Sequence, residues 1–352
     1  MMTSVMLCCA LFVLLCGESV AALTKNRHPL SRTARFAIQA IDRLDTEFLD
    51  SATGLYGVTG DKYGPTAALW PTSQVLAGAI GVARLTGTSN DLARVRRILA
   101  SLRNYASPGG GFRVGVRLWR RYYDDNNWIA LDMLDAYDLL HDASLIRDAE
   151  QVFSFITTGW DPVGGGIHWA TDRMDRPTAA TAPAITVAAW LALLTGKAKY
   201  RDWAYRLLNW EVTRMRDPTG LYWDHIRENG TVDRAIVSYN QGVMIEAFLA
   251  LSRLTGDTTY LASAMQLAKL SAQALAGRRH NRGRFAAYDA IYYQAVRNLG
   301  GLSPQPTAMQ QAQDFIAWAQ SFALSPRAAN QRDEEGLIEQ AAIVITAAAI
   351  SR

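Results

Sequence analysis

The sequence predicts an all-α protein, a closed (α/α)6 toroid of six helical hairpins. Three observations predict it. A short tripeptide recurs about every 55 residues, a second glycine-rich series runs out of phase with it, and helical runs apolar on all sides alternate with runs charged on one face.

The tripeptide is "LTG", at 85–87, 194–196 and 254–256, with "LLHD" at 139–142 where a further copy would fall. Each copy ends an apolar run and precedes another run. Glycine just past a helix supplies the left-handed C-cap, so these are stop signals between paired helices. The second series is "SATGLYG" (51–57), "SPGGGFRVG" (107–115), "DPVGGGIHW" (161–169) and "DPTGLYWDHI" (217–226), with "HNRGRF" (280–285) continuing it loosely. Each repeat thus holds two helices, one short turn and one longer Gly/aromatic loop.

"AITVAAWLALL" (184–194) and "GVMIEAFLALSRL" (242–254) are apolar almost all round and read as buried inner helices. "YRDWAYRLLNWEV" (200–212) carries charge on one face and reads as an outer helix. Strand signals are sparse: "GGGFRVGV" and "GGIHWAT" suggest small hairpins in the loops. An open solenoid is the alternative, disfavoured because the period is long and the ends lack polar caps. In a toroid the short turns gather on one rim and the long loops on the other.

The first residues stand apart. Val5 to Leu15 is apolar and is followed by "VAA", with Val20 and Ala22 suited to a signal-peptidase site. The expectation is a signal peptide over 1–22 and one domain over 23–352. The apolar stretch is too short to span a membrane, so no stable membrane insertion is expected. Cys8, Cys9 and Cys16 all lie in that segment, leaving a cut chain without disulfides or thiolate ligands. The five histidines show no metal spacing, and no metal or cofactor is expected. A net charge of +4, with no dense basic block, argues against a nucleic-acid partner. Apolar residues at 49% against 19% charged imply a large core. A monomer is the expected state.

The long-loop rim carries the chemistry. Asp124 and Asp125 open the apolar run to Leu140, flanked by "RRYY" and Trp128. One reading makes "DDNN" a helix cap with a solvated neighbour. The other uses the pair: two carboxylates this close cannot both ionise freely, so one keeps its proton. An ionised and a protonated carboxyl side by side is the division needed to break a glycosidic bond, and retaining catalysis needs them about 5–5.5 Å apart. Aromatic faces at the same phase of the repeat suit pyranose rings. Trp70, Asn126, Trp128, Trp169, Asp224, Tyr239, Asn240 and Gln241 are the candidate sugar contacts. Asp224 fits a loop-capping role equally well. Asp132, Asp135 and Asp138 fall deeper along the helix and read as structural or surface acids.

The segments "YYDDNNWIALDMLDAY" (122–137), "GGGIHWATDR" (164–173) and "YNQGVMIEAFLALSRLTGD" (239–257) resemble glycoside hydrolase family 76, the endo-α-1,6-mannanases and their fungal cell-wall transglycosylase relatives. The resemblance implies an (α/α)6 barrel, a retaining mechanism without metal, Asp124 as nucleophile and Asp125 as acid/base. It also implies an α-1,6-mannan or another mannose-containing cell-wall glycan as partner. The chain departs from the family's pattern at Asn127, where Ala or Gly is frequent, and at His168, where an aromatic is frequent. Transfer of a mannan chain to a sugar acceptor would use the same residues. Other sugar chemistry on this fold is a further alternative, although epimerases usually work with histidine pairs and this chain shows no obvious one. A non-catalytic glycan-binding role is another, for which an adjacent carboxylate pair would be unnecessary. Asn229-Gly230-Thr231 fits an N-glycosylation acceptor.

Overall fold

The structure is a computed structural model that describes residues 29–60, 64–276, 284–300, 306–323 and 332–351. The expected signal segment 1–22 with its three cysteines, His28, and residues 280–283 of the "HNRGRF" loop lie outside the described residues.

Twelve α-helices are present among the described residues: α1 (Arg32–Phe48), α2 (Leu69–Thr86), α3 (Ser89–Ser101), α4 (Tyr123–Leu140), α5 (Ser144–Thr157), α6 (Thr178–Thr195), α7 (Ala198–Trp210), α8 (Ser238–Thr255), α9 (Thr258–Ala274), α10 (Arg284–Asn298), α11 (Pro306–Ala323) and α12 (Glu334–Ile350). The even-numbered helices form an inner ring. Each packs on the next, and α12 returns to α2. The odd-numbered helices lie outside.

Burial explains the sorting. Outer α1 buries Ala34, Ala37, Ile41, Leu44 and Phe48, a single stripe at helical spacing. Inner α6 is buried at nearly every position from Thr178 to Ala192. It alone among the described helices is long and apolar enough to cross a membrane, and here it forms an inner wall. α2 to α11 pair as consecutive inner–outer hairpins. The sixth hairpin is not consecutive: α12, the last inner helix, packs on α1, the first outer one.

The short turns behave as the sequence predicts. Gly87, Gly196 and Gly256 adopt left-handed φ values of 58°, 68° and 71°, each closing its helix with a backbone hydrogen bond. His141 takes the same conformation at φ 54°, the only non-glycine with positive φ among the described residues. The long loops all precede inner helices, so they share the opposite rim. They contain little sheet. β1 (Leu49–Asp50) pairs with β2 (Leu55–Tyr56), and β3 (Arg176–Pro177), β4 (His225–Ile226) and β5 (Val232–Asp233) form an antiparallel trio linking the loops before α6 and α8. The hairpins expected at 109–116 and 165–171 reduce to isolated bridges such as Ala106–Phe112 and Trp160–Ile167.

Candidate active site

α4 begins at Tyr123, one residue earlier than "DDNN" suggests. Its N-cap is Tyr122, which makes no side-chain cap hydrogen bond. Asp124 and Asp125 therefore sit inside the first turn, where exposed backbone N–H groups favour anions. Neither caps the helix, and both face a cleft of about 400 Å³ in the long-loop rim.

The two acids have different surroundings. Asp124 Oδ1 accepts the Asp125 N–H at 2.9 Å, and its Oδ2 accepts the Trp169 indole N–H at 2.9 Å. Burial pushes its carboxyl up to about 7, and those two donors hold it from rising further. Asp125 is pushed well above the ordinary carboxylate range, first by burial, then by the charges of Asp124 and Glu334. Asp124 is thus the readier anion, and Asp125 keeps a proton beside it.

The remaining walls come from the starts of the inner helices. Trp70 of α2 lies 5.9 Å from Tyr288 of α10, centroid to centroid. Trp128 donates its indole N–H to the Tyr239 hydroxyl at 2.6 Å and meets that ring edge-on. Tyr239 in turn reaches the Ala179 carbonyl at 3.5 Å. That carbonyl stands four residues before Pro183, which has no N–H to give it. A proline inside α6 thereby supplies an acceptor to the cleft. Asp224 binds His225 Nδ1 at 3.0 Å and accepts from Asn240 Nδ2 at 3.2 Å. Asn240 Oδ1 is buried without a partner.

Six of the eight candidate sugar contacts line this cleft: Trp70, Trp128, Trp169, Asp224, Tyr239 and Asn240. Asn126 and Gln241 do not, because both are fully buried and occupied elsewhere. Asn126 Oδ1 accepts the Phe112 N–H, and its Nδ2 donates to the Phe112 and Tyr122 carbonyls. Gln241 grips Tyr222 in the same two-handed way. Thr181 Oγ1 accepts the Ile167 N–H at 2.9 Å. Phe112, Ile167 and Tyr222 each lie two residues past a rim glycine, and Asn126, Thr181 and Gln241 are each the fourth residue of an inner helix. These side chains tie each rim loop to the helix behind it. Asn127 is likewise buried and donates to the Tyr123 and Ala180 carbonyls, away from the cleft.

Tyr122, an aromatic that the sequence already puts at this rim, lines the cleft too, as do Phe285, Tyr288 and Glu334, which the sequence does not single out. Glu334 Oε2 accepts the Ala68 N–H at 3.3 Å and brings a third carboxylate near the pair.

Comparison with known proteins agrees with this architecture. A family 76 glycoside hydrolase from a bovine Bacteroides thetaiotaomicron strain superimposes with a TM-score of 0.79, over 91% of this chain and 78% of that one, at 20% identity. A family 76 mannosidase from Bacteroides thetaiotaomicron VPI-5482 gives 0.78 over 91% and 98%, at 19% identity. An inactive α-1,6-mannanase variant from a Salegentibacter species, with two consecutive aspartates changed to asparagine and α-1,6-mannotriose bound, gives 0.72 over 91% and 100%, at 20% identity. A Candida glabrata mannan endo-1,6-α-mannosidase is 30% identical over 121 residues, which are 31% of this chain and 27% of that protein. The chain therefore aligns with only about a quarter of that relative's length. The profile of Glycosyl hydrolase family 76 matches residues 39–283, which hold the aspartate pair and four of the six inner helices. The chain belongs to glycosyl hydrolase family 76.

Proposed function

We propose that the chain is a retaining, endo-acting glycoside hydrolase that cleaves α-1,6-mannosidic bonds in mannan-type glycans. The observation that carries this reading is the split environment of the pair: Asp124 is hydrogen-bonded as an anion, while Asp125 is driven to hold its proton. The linkage is supported by the α-1,6-mannanase relatives, one of them inactive when two consecutive aspartates are replaced.

In the first step an Asp124 oxygen attacks the anomeric carbon, the bond from that carbon to O6 breaks, and Asp125 passes its proton to the departing O6. In the second, water attacks the anomeric carbon, its proton goes to the Asp125 carboxylate, and the ester to Asp124 breaks. Two inversions give net retention. Trp169 orients Asp124 from the rim, and Trp128 and Tyr239 hold each other at the cleft floor. The apolar stretch before Ala22 supports secretion, with residues 23–352 as the mature domain and the enzyme acting outside the cell as a monomer.

Asp124→Asn should abolish turnover of linear α-1,6-mannan. Asp125→Asn should lower it by about a hundred- to ten-thousandfold, the usual range for general acid–base assistance, and less so on substrates with very good leaving groups. NMR of the first products should show the α-anomer. Near-native turnover by Asp124→Asn would sink the assignment, and a β-anomeric first product would sink the covalent mechanism.

A further inference from the structure

The ring has a second mouth. At the short-turn end lies a cavity of about 380 Å³, nearly the size of the catalytic cleft and within the roughly 300–1,000 Å³ of small-molecule sites. Its walls are the later turns of α2, α4, α6, α8 and α10. Trp128 lines both cavities. Asp132 follows Trp128 by four residues, one helical turn deeper on the same face of α4.

Two groups at depth ask for a ligand. Asp132 and Thr186 are 4% and 5% exposed, line the cavity, and leave Oδ2 and Oγ1 buried without partners. Buried polar atoms are ordinarily hydrogen-bonded, and of the nine unpartnered ones among the described residues these two belong to residues lining this cavity, on neighbouring inner helices. The ionisable side chains nearer the mouth already have partners. Arg84 pairs with Asp135 and Asp138, and Arg253 lies 5.5 Å over the Trp190 ring. Glu246 accepts from Asn298 Nδ2 at 2.6 Å. No group of three or more metal-ligating side chains occurs among the described residues. The wall thus offers hydroxyl and carboxyl groups, indole surface from Trp128 and Trp190, and ionisable side chains near the mouth that already have partners. That combination suits a neutral ring compound rich in hydroxyls.

We propose that this far-end cavity is a second sugar site that takes one neutral pyranose, with hydroxyls on Asp132 and Thr186 and an apolar ring face on the tryptophans. The site is separate from the cleft and stands whether or not the cleft acts on mannan. A free monosaccharide and the end of a longer glycan present the same ring.

The test is heteronuclear NMR on the whole chain, using the Trp190 indole N–H to report the far cavity and the Trp169 indole N–H to report the cleft. Each signal is assigned with a Trp→Phe variant. Methyl α-mannopyranoside should shift the Trp190 signal saturably, also in the Asp124→Asn, Asp125→Asn double variant. Thr186→Val, close in shape but without the hydroxyl, should weaken that binding about three- to tenfold, as loss of one hydrogen bond predicts. Activity on mannan should hold in that variant. A Trp190 shift with α-1,6-mannotetraose as well would identify a chain end; a shift with the monosaccharide alone would identify free sugar, and either result supports the site. The proposal is overturned if Trp190 does not respond to the monosaccharide, if Thr186→Val binds it equally well, or if inorganic phosphate moves the signal and the sugar does not.

Discussion

Asp124 and Asp125 differ by one chain position and by one set of hydrogen bonds, and that difference sets a pH dependence. The proposed mechanism needs Asp124 ionised and Asp125 protonated in the free enzyme, so kcat/KM should rise as pH passes the Asp124 carboxyl, pushed up to about 7, and fall as Asp125 loses its proton. Because the two acids titrate as a pair, the limbs belong to both. Trp169→Phe removes a donor that stabilises the Asp124 anion and should move the acid limb to higher pH. Glu334→Gln removes a negative neighbour of Asp125 and should move the basic limb to lower pH. pH–rate profiles of the two variants check this; limbs moving the opposite way would reverse the roles given to the pair. The pair itself was legible in the sequence because its members are neighbours there. Tyr288 and Glu334 were not, since only ring closure brings them to Asp124 and Asp125. Asn126 and Gln241 read as sugar contacts because amides beside a catalytic pair suit hydroxyls. The signal against it was positional: each is the fourth residue of an inner helix, facing backbone two residues beyond a rim glycine.

At the level of elements, the repeat was legible because each stop needs a left-handed residue, and glycine marks it at Gly87, Gly196 and Gly256. His141 shows the limit of that signal: the backbone bends the same way with no glycine to announce it. The pairing of the ends was not legible. Hairpin counting treats neighbours in sequence as neighbours in space, yet α12 packs on α1, at the other end of the described residues. This closure makes the first helix a structural member of the last hairpin. Ile41, fully buried in the α1 stripe, should therefore report on the whole barrel. Ile41→Ala should cost about 2–5 kcal/mol, the range for emptying a core site of that size. Denaturant unfolding followed by tryptophan fluorescence should show that loss in a single transition. A separate early step confined to α1, with the rest unchanged, would mean the helix is an accessory.

For the whole molecule, the interior carries a load of buried acids, four on inner helices and Glu211 just past outer α7. Burial pushes Asp124 and Glu246 up to about 7, and Asp125, Asp132 and Glu211 well above the ordinary range. Each such group binds its proton more tightly folded than unfolded. Its contribution to stability is complete below the unfolded value, about 4, and is lost as pH rises toward the folded value, by about 1.4 kcal/mol per pH unit while the group stays protonated only in the folded chain. Asp50, Asp142, Asp161 and Asp257 act in the opposite sense, since hydrogen bonds lower their values, but their effect falls below about pH 4. His168, lowered by burial, opposes the trend only below about pH 6.5. The buried acids therefore dominate between pH 5 and 8, and Tm should fall across that range. Asp132 and Glu211 lie outside the catalytic cleft, so they can be neutralised without touching the pair. The Asp132→Asn, Glu211→Gln double variant should flatten the fall of Tm with pH while leaving the pH limbs of catalysis in place. A wild-type Tm that rises from pH 5 to 8, or a double variant with the full wild-type slope, would show that these carboxyls are solvated in the folded protein and that the ring interior is wetter than its packing indicates.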